Sequence, residues 1–346
     1  MSLTPGTRRL VTVAVTVLTF VALLVIGTSV NVPYVALGPG PTINTLGMNG
    51  DKPVVQIQGA QVDKTSGNLN LTTVSVVDGM SLFDSIGKWI SGDYTLSPRD
   101  RVFPPDQTPE QVRKGNQRDM TDSEDNATLA ALLHLNRPTE LIVEDVAGDG
   151  PAAGILRKND VLQSVGGKPV RTTTQVQEVI RAAAPGTTLA IDVRRAAATE
   201  HLEVTLGKRP DNPKLGYLGV TPELRNADPN LKITFNVGDI GGPSAGLMMT
   251  LAVIDKLTPG PLNSGKFVAG TGTIDPDGNV GEIGGITHKT RAAADKGATV
   301  FLVPEGNCRE AKGDKPDGLE LVKVSTLDDA LAALKKLGEG AELPQC

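Results

Sequence analysis

Hydrophobic and polar positions divide this chain into stretches of different texture. Residues 10–26 read LVTVAVTVLTFVALLVI, an apolar run broken only by threonines, behind Arg8 and Arg9, with no further charge until Asp51. At about 1.5 Å rise per residue, roughly 17–20 such residues cross a bilayer core. The arginines are expected to hold residues 1–9 in the cytoplasm, which makes 10–27 a transmembrane helix with the rest of the chain extracytoplasmic. A cleaved signal peptide is the rival reading, but VIGTSVNVP offers no clear A-x-A cleavage site. A buried core helix fits poorly with the position, length and flanking arginines.

Downstream, the Gly- and Pro-rich VPYVALGPGPTINTLG reads as extended segments and turns. Residues 54–57 and the β-branched LNLTTVSVV (69–77) read as strands, and SLFDSIGKWI (81–90) as a short amphipathic helix. Residues 28–120 are therefore expected to form a β-rich membrane-proximal region. A helix capped by Thr121 or Ser123 runs through ATLAALLHL. Strand LIVEDV (141–146) follows, then a Pro-Ala-Ala-Gly turn and a strand closed by Gly166-Gly167. A helix over 173–184 and strands TLAIDVRR and EHLEVTLGKR complete a module of compact size.

From Leu215 the pattern changes again. Strand LKITFNV (231–237) leads into GDIGGPSAGLMMTLAVIDKL, where a tight turn enters a helix apolar almost all round, hence buried. Ser244 at that helix start sits beside unpaired backbone N–H groups and the positive end of the dipole, the ingredients of an oxyanion hole. The commoner role for a serine there is a plain N-cap. Residues 270–274 and 280–283 read as a hairpin, and Gly284-Gly285 opens the helix ITHKTRAAADKGA. On a helical wheel Lys289 falls between Ile286, Ala292 and Ala293, with His288, Arg291 and Asp295 on the other side. Burial lowers a lysine pKa, and a neutral amine can take the proton of a serine hydroxyl. Snorkelling to solvent is the other outcome, and Lys296 lies near the same face.

Composition sharpens this picture. A net charge of −5 over 346 residues argues against a nucleic-acid partner. Three scattered histidines and two cysteines leave no HExxH or paired CxxC pattern, so neither metal nor cofactor is expected. Outside the cytoplasm Cys308 and Cys346 are candidates for a disulfide, with two free thiols as the alternative.

Gly150-Pro151-Ala152-Ala153, Asn159-Asp160-Val161-Leu162, Val165 to Val170 and Pro185-Gly186 resemble the PDZ domains of bacterial extracytoplasmic proteases. That resemblance implies a PDZ domain over 121–212 that docks an extended peptide as an added strand. The expected contacts are Leu141 and Val143 on an edge strand and Val176, Val179 and Ile180 on the facing helix.

GGPSAG (241–246), Thr271-Gly272-Thr273, GNVGEIGGITHK (278–289) and VFLVPEGN (300–307) resemble the proteolytic domain of the Lon family of Ser–Lys peptidases. The resemblance implies a Lon-like proteolytic domain over 213–346, with Ser244 as nucleophile, Lys289 as general base and Thr271 beside the lysine. Gly242 and Ser244 are the oxyanion candidates. Gly241 stands where the family has an acidic residue, with Asp239 two positions earlier. No G-x-x-x-x-G-K-[ST] run occurs, so no ATP is expected. The order of anchor, PDZ and protease resembles the membrane-anchored PDZ-containing Lon-like proteases of Gram-positive bacteria. It implies an α+β chain in the plasma membrane acting on unfolded or flexible extracytoplasmic polypeptides, with homo-oligomeric rings expected by family analogy. GPSAG also fits the G-x-S-x-G elbow of an α/β-hydrolase esterase using Ser244 and His288. A non-catalytic PDZ scaffold is the third reading.

Overall fold

The computed structural model describes residues 5–346; residues 1–4 of the expected cytoplasmic segment lie outside the described residues. Helix α1 (Pro5–Ser29) contains the apolar run. It is the one helix among the described residues long and apolar enough to cross a bilayer, over Arg9–Ser29 with mean hydropathy 2.7. Next come β1 (Tyr34–Asn44), β2 (Val55–Gln58), β3 (Asn68–Val77), α2 (Leu82–Ser91), β4 (Thr95–Pro98) and α3 (Pro109–His134). A second group holds β5 (Thr139–Val146), β6 (Val161–Val165), α4 (Thr173–Ala182), β7 (Thr188–Arg195), β8 (Ala198–Thr205) and β9 (Val220–Asn226). The last group begins with β10 (Lys232–Phe235), α5 (Gly246–Leu257), β11 (Phe267–Gly270) and α6 (Ile286–Asp295). It ends with β12 (Val300–Pro304), α7 (Cys308–Gly313), β13 (Glu320–Val324) and α8 (Leu327–Glu339). The chain is a mixed α/β protein.

Strands from both ends of the chain build one sheet, in the order β13-β12-β11-β3-β1-β4. β11 lies parallel to β3, with Phe267 opposite Asn68 and Gly270 opposite Leu71. β1 returns antiparallel to β3, and β2 pairs antiparallel with β10. This corrects the expectation that residues 28–120 stand apart. Leu69 and Leu71 of β3 are fully buried in one core with Val268, Leu302 and Leu247, and alone they would face water. Asn236 fastens the seam, donating its amide to Val54 O and its side-chain amide to Pro53 O, each at 2.7 Å.

The second sheet runs β8-β7-β6-β5-β9 and sits as an insertion within the first body. β9 pairs with β5, placing Leu224 opposite Leu141, so this unit reaches residue 226, past the expected boundary at 212. Its start also differs. α3 begins at Pro109, where Thr108 and Gln111 form a capping box, and not at Thr121 or Ser123. One side of α3 carries Met120, Ala127 and Ala131 into the core of the first sheet, while Leu129 and Leu133 pack on the second.

The C-terminal tail runs along β13, with Lys323 N–H donating to Pro344 O and Cys346 N–H to Leu321 O. It covers an otherwise open sheet edge. Cys308 and Cys346 are joined by a disulfide across 38 positions, with Cα atoms 5.2 Å apart. Closing a loop of that size restricts the unfolded chain by about 2–4 kcal/mol. Cys346→Ser is therefore expected to lower the thermal midpoint of the oxidised protein by several degrees. An unchanged midpoint, with both thiols of the parent chain open to alkylation without reductant, would remove the bond.

Candidate active site

The turn before α5 places Ser244. Gly242 has φ of 89°, a left-handed conformation that suits glycine. Every residue from Gly246 to Lys256 is buried, as the all-round apolar sequence requires. Ala245 is the N-cap and no side chain caps the helix, so Ser244 is not the plain cap that its position suggested. Its carbonyl is held from two sides: Thr271 Oγ1 donates to it at 3.0 Å and Gly272 N–H at 2.9 Å. The hydroxyl is left for other work.

Lys289 comes from the first turn of α6. Gly285 caps that helix in a left-handed conformation, and a Cβ there would lie 2.8 Å from Val74 of β3. This close approach aims α6 at the sheet. Lys289 Nζ reaches Ser244 Oγ at 2.8 Å and Thr271 Oγ1 at 3.1 Å. The residue is 3% exposed, and burial lowers its pKa to about 8. An amine with that pKa is partly neutral near physiological pH and can accept a proton from the hydroxyl beside it. Lys296 is exposed at the C-cap of α6, which separates the two lysines that the wheel left together.

Other expectations are corrected. His288 was expected on the polar side of α6, but it is buried at 5% exposure with an unpartnered Nδ1. It faces the Asp93 backbone, and burial followed by the Arg291 charge lowers its pKa. Ser244 meets Lys289 instead, so the hydroxyl–imidazole pair of a hydrolase elbow is not assembled. Gly242 N–H is already spent on Asn116 O of α3 at 2.7 Å, which takes it out of the oxyanion candidates. Among the described residues no such partner occupies the Ser244 amide. Asp239 is exposed and lines the same cleft.

That cleft, about 790 Å³, is walled by Thr73 and Val74 of β3, Asn116 of α3, Glu282, Ser244 and Lys289. Sequence reasoning missed the β3 and α3 contributions. The strand 69–77 was legible, but nothing in its pattern told which sheet it joins.

The peptide-docking expectation moves as well. β5 is paired on both sides, and Leu141, Val143 and Val176 are buried in the core of the second sheet, with Val179 and Ile180 packed against it. These five residues hold the unit together and cannot receive a strand. The sheet ends at β8 and at β9, and beside β9 a groove of about 580 Å³ is lined by Pro222, Leu224 and Arg225, Asp125 and Leu129 of α3, and Thr173 of α4.

Comparisons with known proteins find a match for each of two stretches of the chain. Residues 114–206 match the family model of the PDZ domain, and residues 229–336 that of the Lon protease (S16) C-terminal proteolytic domain. The chain is 36% identical over 121 residues to Lon protease of Phenylobacterium zucineum, covering 34% of this chain and 15% of that protein. It is 33% identical over 112 residues to Lon protease 2 of Bacillus subtilis, covering 32% and 20%. The chain thus spans a fifth or less of the length of these relatives. Among solved structures, the PDZ domain of the SdrC-like protein from Listeria monocytogenes is 20% identical, with 24% of this chain and 86% of that one covered and a TM-score of 0.22.

The buried amine makes stability depend on pH. Lys289 titrates near 8 in the folded protein and near 10.5 when unfolded, so between these values the unfolded chain binds more protons. The penalty for burying the charge is present below pH 8 and is relieved as pH rises toward 10.5. Relative to Lys289→Met, the parent protein should gain unfolding free energy across that window, and lysine ¹⁵Nζ resonances should show one amine titrating near 8. Parallel stability curves and no depressed resonance would contradict the assignment.

Proposed function

We propose that this chain, which carries a PDZ domain and a Lon-type proteolytic domain, is a serine endopeptidase that uses Ser244 and Lys289 to cleave unfolded or flexible polypeptides. The observation that carries this reading is the 2.8 Å contact between the buried Lys289 amine and the Ser244 hydroxyl. Neutral Lys289 takes the hydroxyl proton as Ser244 Oγ attacks the peptide carbonyl, and the protonated amine then gives that proton to the leaving nitrogen. Water hydrolyses the acyl-enzyme by the same route in reverse. Ser244 N–H, which has no backbone acceptor among the described residues, is the proposed donor to the developing oxyanion. Thr271 keeps the amine aimed, accepting from Lys289 and fixing the Ser244 carbonyl.

The PDZ domain captures an extended chain along β9 and raises its concentration at the cleft. α1 anchors the enzyme in the membrane with the catalytic body outside the cytoplasm, a compartment that suits the Cys308–Cys346 bond. No nucleotide-binding run is present in these residues, so cleavage is proposed to proceed without ATP.

Full-length protein in detergent should cleave an unfolded substrate protein without nucleotide. Ser244→Ala and Lys289→Met should each lose about 10³-fold or more in kcat/KM, and Thr271→Val about tenfold. The rate should fall as pH drops through about 8, because the protonated amine cannot accept a proton. Full activity in Lys289→Met with loss in His288→Ala would support the esterase-type reading, and inactivity of every version would favour a scaffold. Protease added to intact cells should degrade the part after Gly27; complete protection would overturn the orientation.

A further inference from the structure

Helix α2 presents its apolar side outward. Leu82, Phe83, Ile86, Trp89 and Ile90 recur at helical spacing on one face, and all are exposed, Trp89 by 66% and Ile90 by 72%. Its one buried residue is polar: Ser85, whose hydroxyl bonds back to Ser81 O at 2.9 Å. Ser81 and Asp84 close a capping box and Gly92 ends the helix with φ of 77°, so the element is well defined on its own. A surface helix of a globular body normally turns such a face to the core. This one leaves it uncovered.

Its position says what covers it. The start of α2 is fastened to the chain just past α1, through Val32 N–H to Met80 O at 2.9 Å and a bridge between Asn31 and Ser81. Phe83 packs on Gly27 so closely that a Cβ at Gly27 would lie 2.5 Å from its ring. Gly27 lies near the end of the apolar span Arg9–Ser29. A side chain against Gly27 is therefore at the depth where that span leaves the bilayer. Trp is the residue most at home at this depth, where its ring meets acyl chains and its N–H meets headgroups. Lys88 lies over the Tyr94 ring, 3.9 Å from the centroid, so a cation of the helix meets a further aromatic ring just past its end.

We infer that α2 is a second membrane contact, an interfacial helix that lies in the outer boundary of the bilayer crossed by α1, with Trp89 and Ile90 immersed. The inference rests on the anchor reading of α1. It makes the attachment of the catalytic body a two-point one, adding the face of α2 to the span of α1. β1 then runs from the membrane surface to Pro41 in the cleft wall, roughly 23 Å at about 3.3 Å per residue. The cleft is thereby held within reach of chains that emerge from, or lie along, the same membrane.

Trp89 is the single tryptophan of the chain, so its fluorescence reads this helix alone. Full-length protein would be reconstituted in phosphatidylcholine vesicles with and without bromine-labelled acyl chains, and flotation measured on the same samples. Expected are co-flotation, quenching of Trp89 by the bromolipid of about twofold or more, and little quenching by aqueous iodide. Ile86→Asp with Ile90→Asp, both exposed positions, should reverse the two quenching results while flotation persists. Co-flotation with strong iodide quenching and no bromolipid effect would overturn the inference and leave the anchor standing. Shielding from both quenchers would overturn it in favour of a protein cover such as a second copy. Protein that fails to float would remove the anchor reading, and this inference with it.

Discussion

An ammonium group taken out of water loses hydration worth several kcal/mol even after the surroundings relax. Lys289 bears that loss without a compensating carboxylate; burial is the one resolved cause of its lowered pKa, and its hydrogen-bond partners are two hydroxyl oxygens. Releasing the proton relieves the penalty, and the neutral amine left behind is the form that can accept a proton from Ser244. The proposed chemistry therefore depends on keeping water from the lysine stem. α5 supplies an apolar wall, α6 supplies the lysine, and Val74 of β3 closes against Gly285 at its base. Without the β3 contribution the amine would be wetter and its pKa nearer the ordinary lysine value.

This makes the discontinuous sheet a condition of the chemistry and not an accident of topology. β3 lies parallel to β11, so the strand that walls the cleft and the strand that leads into Thr271 are locked in register. α3 then joins the two bodies. Its early turns hold the nucleophile loop, through Asn116 O to Gly242 N–H and Ser123 Oγ to Pro243 O at 3.0 Å. Its later turns pack Leu129 and Leu133 against the second sheet, and Asp125 and Leu129 line the groove beside β9. One rigid helix thus touches both the loop that carries Ser244 and the edge that would take a peptide.

The elements that positioned Ser244 and Lys289 were legible because their signals are local. GGPSAG marks a turn into an apolar helix, and a lysine among Ile286, Ala292 and Ala293 is visible on a wheel. Long-range pairing was not legible. Residues 69–77 looked like a strand, but its parallel partner β11 lies about 200 positions away, and a period-2 pattern carries no address. The same gap explains the PDZ error. Leu141 and Val143 were read as an edge because β9, which covers them, comes some eighty residues later and looked like the start of the next domain. His288 went the other way: the wheel put it among polar neighbours, while packing of the segment around Asp93 buried it. Periodicity describes one helix; burial depends on what the rest of the chain lays over it.

Connectivity also decides what the enzyme can reach. These residues hold no G-x-x-x-x-G-K-[ST] run. On the proposed function, access would come from proximity, and two features of the fold bear on it. β1 leaves the end of α1 after a link at 30–33 and becomes part of the cleft wall, with Pro41 at its bulged centre. A strand that is both tether and wall cannot be lengthened without loosening the site. The groove at β9 is lined by Asp125 and Leu129 of α3, whereas the nucleophile loop meets α3 at Asn116 and Ser123. On the proposed function, a membrane tether and the groove would each replace a search through solution by a search through a small volume.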